Sequence, residues 1–74
     1  MANAATLTRI GSNVRVQVEQ VKDRIPGNLL KKLKVNPRGR VVDYKMADGG
    51  DIGLVIELSD GSTSWFFNEE LGRG

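Results

Sequence analysis

The residues able to do chemistry are few, and each group of them has a plainer use. Asp48-Gly49-Gly50-Asp51 places two carboxylates around a glycine pair, as calcium loops do. The EF-hand spacing and its closing glutamate are missing, so the stretch reads as a hairpin turn and no metal site is assigned. Gly49-Gly50-Asp51-Ile52-Gly53 fits neither dinucleotide nor P-loop spacing and opens no helix, so it cradles no phosphate. Glu69 and Glu70 are adjacent, whereas an acid–base pair must face a substrate from two sides. They read as solvated residues on a surface turn. No cofactor is expected, and no catalytic residue.

Absent residue types narrow the field further. The 74 residues include no cysteine and no histidine. That removes disulfides, the thiolate and imidazole metal ligands, the commonest general base and the most reactive nucleophile. An enzyme is not expected. Binding is the remaining class of function, and two groups of residues could serve it. One is the basic run Lys31, Lys32, Lys34, Arg38 and Arg40. The other is Trp65-Phe66-Phe67. Alternate strand residues point to opposite faces, so these three aromatics cannot all enter one core. Aromatics left at a surface are enriched at binding sites. The expected partner-binding set is therefore Lys31, Lys32, Lys34, Arg38, Arg40, Trp65 and Phe67, with Phe66 turned inward.

The charge is polarised although its net value is only +2. Residues 22–42 hold seven Lys or Arg against one Asp; residues 43–74 hold seven Asp or Glu against two Lys or Arg. Such asymmetry speaks of partners and orientation, not of fold. RNA-binding barrels join positive charge to stacking aromatics. Here the basic stretch has no aromatic and the acidic half repels phosphate, so nucleic acid is the second reading, as an RNA- or ribosome-binding domain. No stretch approaches the roughly 20 apolar residues that span a bilayer. The first residues lack a secretory pattern.

The elements that must position these residues are mostly strands. Residues 1–10 read as a flexible tail and 11–74 as one domain. Val14, Val16 and Val18 alternate with polar residues, as in a strand with one wet face. Ile25-Pro26-Gly27-Asn28 is a turn, and Asn28 is placed to cap a short helix over residues 29–34, ended by Asn36-Pro37. Strands are expected over 38–46, 52–58 and 62–67, joined at 48–51 and at Asp60-Gly61, the strongest hairpin signal in the chain. A single helical turn at 68–71 leaves 71–74 for a very short fifth strand. A meander of this size must close on itself to bury its apolar face. The fold class is all-β: a small SH3-like barrel of four to five short strands, with a long loop carrying a short helix. Its expected core is Val14, Val16, Val18, Val42, Ile56, Leu58 and Leu71. Residues 19–37 are expected to be the most mobile part apart from the tail.

Gly39-Arg40-Val41-Val42-Asp43-Tyr44-Lys45-Met46, Asp48-Gly49, residues 53–57, Asp60-Gly61, Trp65-Phe66-Phe67 and Glu70-Leu71 together resemble the PetP family. The likeness runs from about Gly11 to Leu71. That family provides a small peripheral subunit of the cytochrome b6f complex in cyanobacteria and red algae. The resemblance implies an SH3-like fold and a place on the cytoplasmic (stromal) face of the thylakoid membrane, held through subunits of the complex. It implies a role in photosynthetic electron transport with no redox chemistry of its own. It brings no catalytic residues. A chain of this kind is expected to be a monomer when isolated.

Overall fold

A computed structural model describes residues 8–74. Five strands form one antiparallel sheet: β1 (Asn13–Val16), β2 (Arg38–Met46), β3 (Ile52–Leu58), β4 (Thr63–Phe67) and β5 (Leu71–Arg73). Their order is β4-β3-β2-β1-β5. The two outer strands are consecutive in the chain, joined by one 3-10 turn, Asn68–Glu70. The sheet therefore rolls back on itself as an SH3-like barrel. Strand β2 is the strand shared by both halves. Its first residues pair with β1 (Arg15↔Arg38, Val14↔Gly39), and from Gly39 onward it pairs with β3.

Strand alternation buries one face. Val14, Val16, Leu54, Ile56, Leu58 and Phe66 are all buried. The expected residue Val42 is half-buried, and its neighbour Val41 is fully enclosed instead. The cause is a bulge: the β2–β3 register shifts between Val41 and Asp43, leaving Val42 without a partner. A bulge adds one residue and reverses the phase beyond it. Leu71 is half-buried and packs against the core cluster.

Val18 departs from the expected strand. Strand β1 stops at Val16, and Val18–Val21 form a single helical turn, α1. A second helix, α2, spans Gly27–Val35, longer at both ends than the expected 29–34. Its N-cap is Pro26, with Asn28 inside the first turn, so the Asn28 cap is not formed. Segment 19–37 is also better anchored than its composition indicated. Val21 and Leu33 have no exposed surface, and Ile25 and Leu29 pack against the same cluster.

Two turns follow the glycines that mark them. Gly49 and Gly50 have positive φ in the 3-10 turn Asp48–Gly50. Gly61 has φ +87° between β3 and β4, where the Ser62 amide donates to Asp60 Oδ1 (3.0 Å). The tail expected over residues 1–10 lies outside the described residues as far as residue 7. Thr8 is held to the barrel: its amide and hydroxyl donate to Asn68 Oδ1, and its carbonyl accepts from the Tyr44 hydroxyl (2.7 Å).

Candidate docking surface

Strand β4 sorts its three aromatics by face. Phe66, opposite Leu54, is fully buried, while Trp65 and Phe67 stay half-buried on the outer face. Trp65 stands opposite Val55, and Phe67 opposite Gly53. The indole also rests on Gly53: a Cβ there would meet Trp65 Cε3 at 2.7 Å. The two outward rings meet edge to face, 5.1 Å between centroids and 89° between planes.

These rings are roofed by cations. The Arg24 guanidinium lies 5.2 Å from the Trp65 centroid and 5.5 Å from that of Phe67, and Lys45 Nζ lies 5.1 Å from Trp65. Ring quadrupoles attract such cations. Arg24 is fixed in turn by Glu70. Its Nε donates to Oε2 (3.0 Å), and its Nη2 donates to Oε1 in a second, bidentate bond. The same Oε1 accepts from the Phe67 amide (2.9 Å), and the Glu70 carbonyl accepts from the Gln17 amide (2.8 Å). Glu70 is thus a buried tie between the segment after α1 and the end of β4, not the solvated carboxylate its sequence neighbourhood indicated. Glu69 alone is exposed. Arg24 is 46 residues away from Glu70 in sequence, so no local pattern could announce the pair.

The basic run is spread rather than clustered. Helix α2 buries Leu33 and leaves Lys31, Lys32 and Lys34 exposed. Lys32 is engaged by Asp60 Oδ2 (2.9 Å) and Ser62 Oγ (3.3 Å) at the β3–β4 turn. Hydrogen bonds from the Ser62 hydroxyl, Lys32 and the Ser62 amide hold the Asp60 carboxyl well below the usual carboxylate range. Arg40 approaches Glu57 across the sheet (3.5 Å). Lys31, Lys34 and Arg38 make no ion pair among the described residues. Lys32 and Trp65 line one groove between α2 and β4, with Arg24, Pro26 and Leu29. Arg38 and Arg40 line a different depression, with Asn13 and Glu57. The expected set therefore divides into two places, and Phe67 lies beside Trp65 beneath Arg24. Among the described residues, no three acidic groups gather as a metal site requires.

A family model described as the Tsr0524-like subunit of cytochrome b6f matches residues 10–72. The chain belongs to this family. Among solved structures, the solution structure of the cyanobacterial cytochrome b6f complex subunit PetP is similar to it, at 28% identity and a TM-score of 0.75. The match covers 97% of this chain and 86% of that one, so the resemblance seen in the residues extends to the whole b6f-subunit fold. A search of curated proteins finds no match.

Proposed function

We propose that the chain is a non-catalytic peripheral subunit that docks on the cytoplasmic (stromal) face of the thylakoid cytochrome b6f complex and supports or regulates electron transport. The observation that carries this reading is the match to the b6f subunit family across residues 10–72. Two features support it. No helix among the described residues is long and apolar enough to cross a membrane. The sequence also offers no cysteine or histidine with which to ligate a haem or an iron–sulfur cluster.

Lys31, Lys32, Lys34, Arg38 and Arg40 and the ring pair Trp65 and Phe67, divided between two places on the surface, are proposed as partner-binding residues for an acidic protein surface. Opposed charge steers such encounters and weakens with salt. The RNA reading has less support, because Arg24 and Lys45 already lie over the Trp65 ring where a base would stack. Fractionation of thylakoid membranes tests the proposal. The chain should sediment with washed membranes and be released by high salt without detergent. Recovery in the ribosomal fraction, with none on membranes, would refute it.

A further inference from the structure

Strand β4 is an outer strand of the sheet, and only β3 pairs with it. In an antiparallel pair, backbone groups alternate between the partner strand and the opposite edge. The Leu58 amide donates to the Ser62 carbonyl (2.8 Å), so the Ser62 backbone faces β3. Ser64 and Phe66, two and four residues further on, face β3 as well. Thr63, Trp65 and Phe67 therefore turn their N–H and C=O groups away from it. The Phe67 amide agrees with this phase, since it donates to the Glu70 carboxylate (2.9 Å). The N–H and C=O groups of Thr63 and Trp65 make no hydrogen bond among the described residues. A row of such groups is a template for a further strand.

This edge forms one wall of the groove between α2 and β4, about 560 Å³ in volume, whose opposite wall includes Ile25, Pro26 and Leu29. The open stretch from Thr63 to Trp65 is roughly 10 Å of strand. Beyond it the clamp of Arg24 and Glu70 closes the edge at Phe67. The charged residues that line the groove are Arg24 and Lys32, and no carboxylate lines it. Glu70 and Asp60, which hold these two cations, stand outside the lining. Arg24 bonds to Glu70 through Nε and Nη2, which leaves Nη1 without a partner among the described residues. Lys45, over the Trp65 ring, makes no ion pair among them.

We propose that the β4 edge at Thr63 and Trp65 takes up an extended, carboxylate-bearing segment of a protein of the membrane complex, which adds to the sheet as a further strand. The inference rests on the docking reading above and names how the partner is held. In strand addition, main-chain hydrogen bonds supply affinity and the sites of alternate side chains supply specificity. The segment's own N–H and C=O groups pair with those of Thr63 and Trp65. Its residue opposite Trp65 lies on the same face as the indole, where a carboxylate meets the free donors of Arg24. Lys32, at the other end of the groove, attracts a second one.

The first arm of the test needs no substitution. Amide exchange followed by NMR on the free full chain should find Thr63 and Trp65 exchanging about tenfold or more faster than Ser64 and Phe66. The tagged chain is then bound to the complex from detergent-solubilised thylakoid membranes, exposed to deuterated buffer, released by high salt and read again. The Thr63 and Trp65 amides should now exchange about tenfold or more slowly than in the free chain. In the second arm, Thr63→Pro removes an outward N–H and no bond to β3, at an edge where proline is tolerated. Once shown to melt like the parent, it should weaken retention of the haem-bearing complex about tenfold or more. Lys32→Gln should weaken it about threefold or more. If Thr63→Pro melts lower than the parent, the exchange arm decides alone. Retention of the complex with Thr63 and Trp65 exchanging as in the free chain would overturn the proposal and leave the docking reading intact. Full retention by a folded Thr63→Pro, or by Lys32→Gln, would overturn it as well. A parent dimer in sedimentation that protects the same amides without membranes would assign the edge to a second copy. A parent that retains no haem would sink the docking reading, and this inference with it.

Discussion

Replacing Arg24 by Met keeps most of the side chain's apolar stem and removes the guanidinium. Two hydrogen bonds to the Glu70 carboxylate disappear, as does a cation over two rings. Among the described residues, Glu70 then keeps only the Phe67 amide as a side-chain partner, and it is 8% exposed. Hydrogen bonds to charged groups contribute about 1.5–3 kcal/mol each, and an unpaired buried carboxylate adds a desolvation cost. Arg24 is itself about a third exposed, and solvent screening reduces these figures. The net loss should be about 2–3 kcal/mol, a large share of the roughly 4–11 kcal/mol a domain of this length holds. At about 4–8 °C per kcal/mol, the melting temperature should fall by about 10–20 °C. Urea unfolding followed by tryptophan emission reads this directly, because Trp65 is the only tryptophan and lies under Arg24. Iodide should also quench the folded variant more than the parent. A double-mutant cycle with Glu70→Gln isolates the pair. A melting temperature within about 2 °C of the parent, or a coupling near zero, would show that the pair is ordinary surface electrostatics.

Further substitutions address the packing. Val41→Ala should cost about 1.5–3 kcal/mol and Val42→Ala clearly less; equal losses in urea titrations would contradict the bulge. Phe66→Leu should destabilise by more than 1 kcal/mol and Trp65→Leu by less, since only Phe66 is fully enclosed; the reverse order would invert the phase of β4. Gly53→Ala should cost about 1–3 kcal/mol and shift tryptophan emission, because the added methyl meets the indole. An unchanged spectrum would mean the indole does not rest there. Carboxyl NMR should find Asp60 ionised well below pH 4. Its folded-state pKa is depressed, so its contribution is present above the unfolded value and is lost as pH falls toward the folded one. Lys32→Met should move that titration upward; an unchanged titration would remove Lys32 as a cause.

Strand alternation made much of the fold legible. Val14, Val16, Ile56, Leu58 and Phe66 are buried as the period of two requires, and Asp60-Gly61 makes the reversal its residues announce. The errors share a cause, namely contacts between residues far apart in the chain. Val41 and Val42 are chemically equivalent, and only the pairing with β3 decides which is enclosed. Val18 fits the strand period, yet the Gln17 amide is taken by the Glu70 carbonyl and the chain turns into α1 there. Within segment 19–37, Val21 and Leu33 find their partners only once the barrel closes. The outward placement of Trp65 and Phe67 was readable from parity. The clamp of Arg24 and Glu70 was not, although a glycine inside a strand, Gly53, does hint at a close approach. The basic residues were visible as charge. That Lys32 and Arg40 are answered by Asp60 and Glu57 depends on β3 and β4 folding back beside them.

Retention of the cytochromes is the most direct test of docking. A tagged full chain is incubated with solubilised thylakoid membranes at low salt, eluted, and assayed by reduced-minus-oxidised haem absorbance and by subunit composition. Docking on the b6f complex predicts b- and c-type haem absorbance in the eluate at a fixed ratio to the chain, lost after a high-salt wash. An eluate with no haem, under conditions where the solubilised complex is intact, would contradict it.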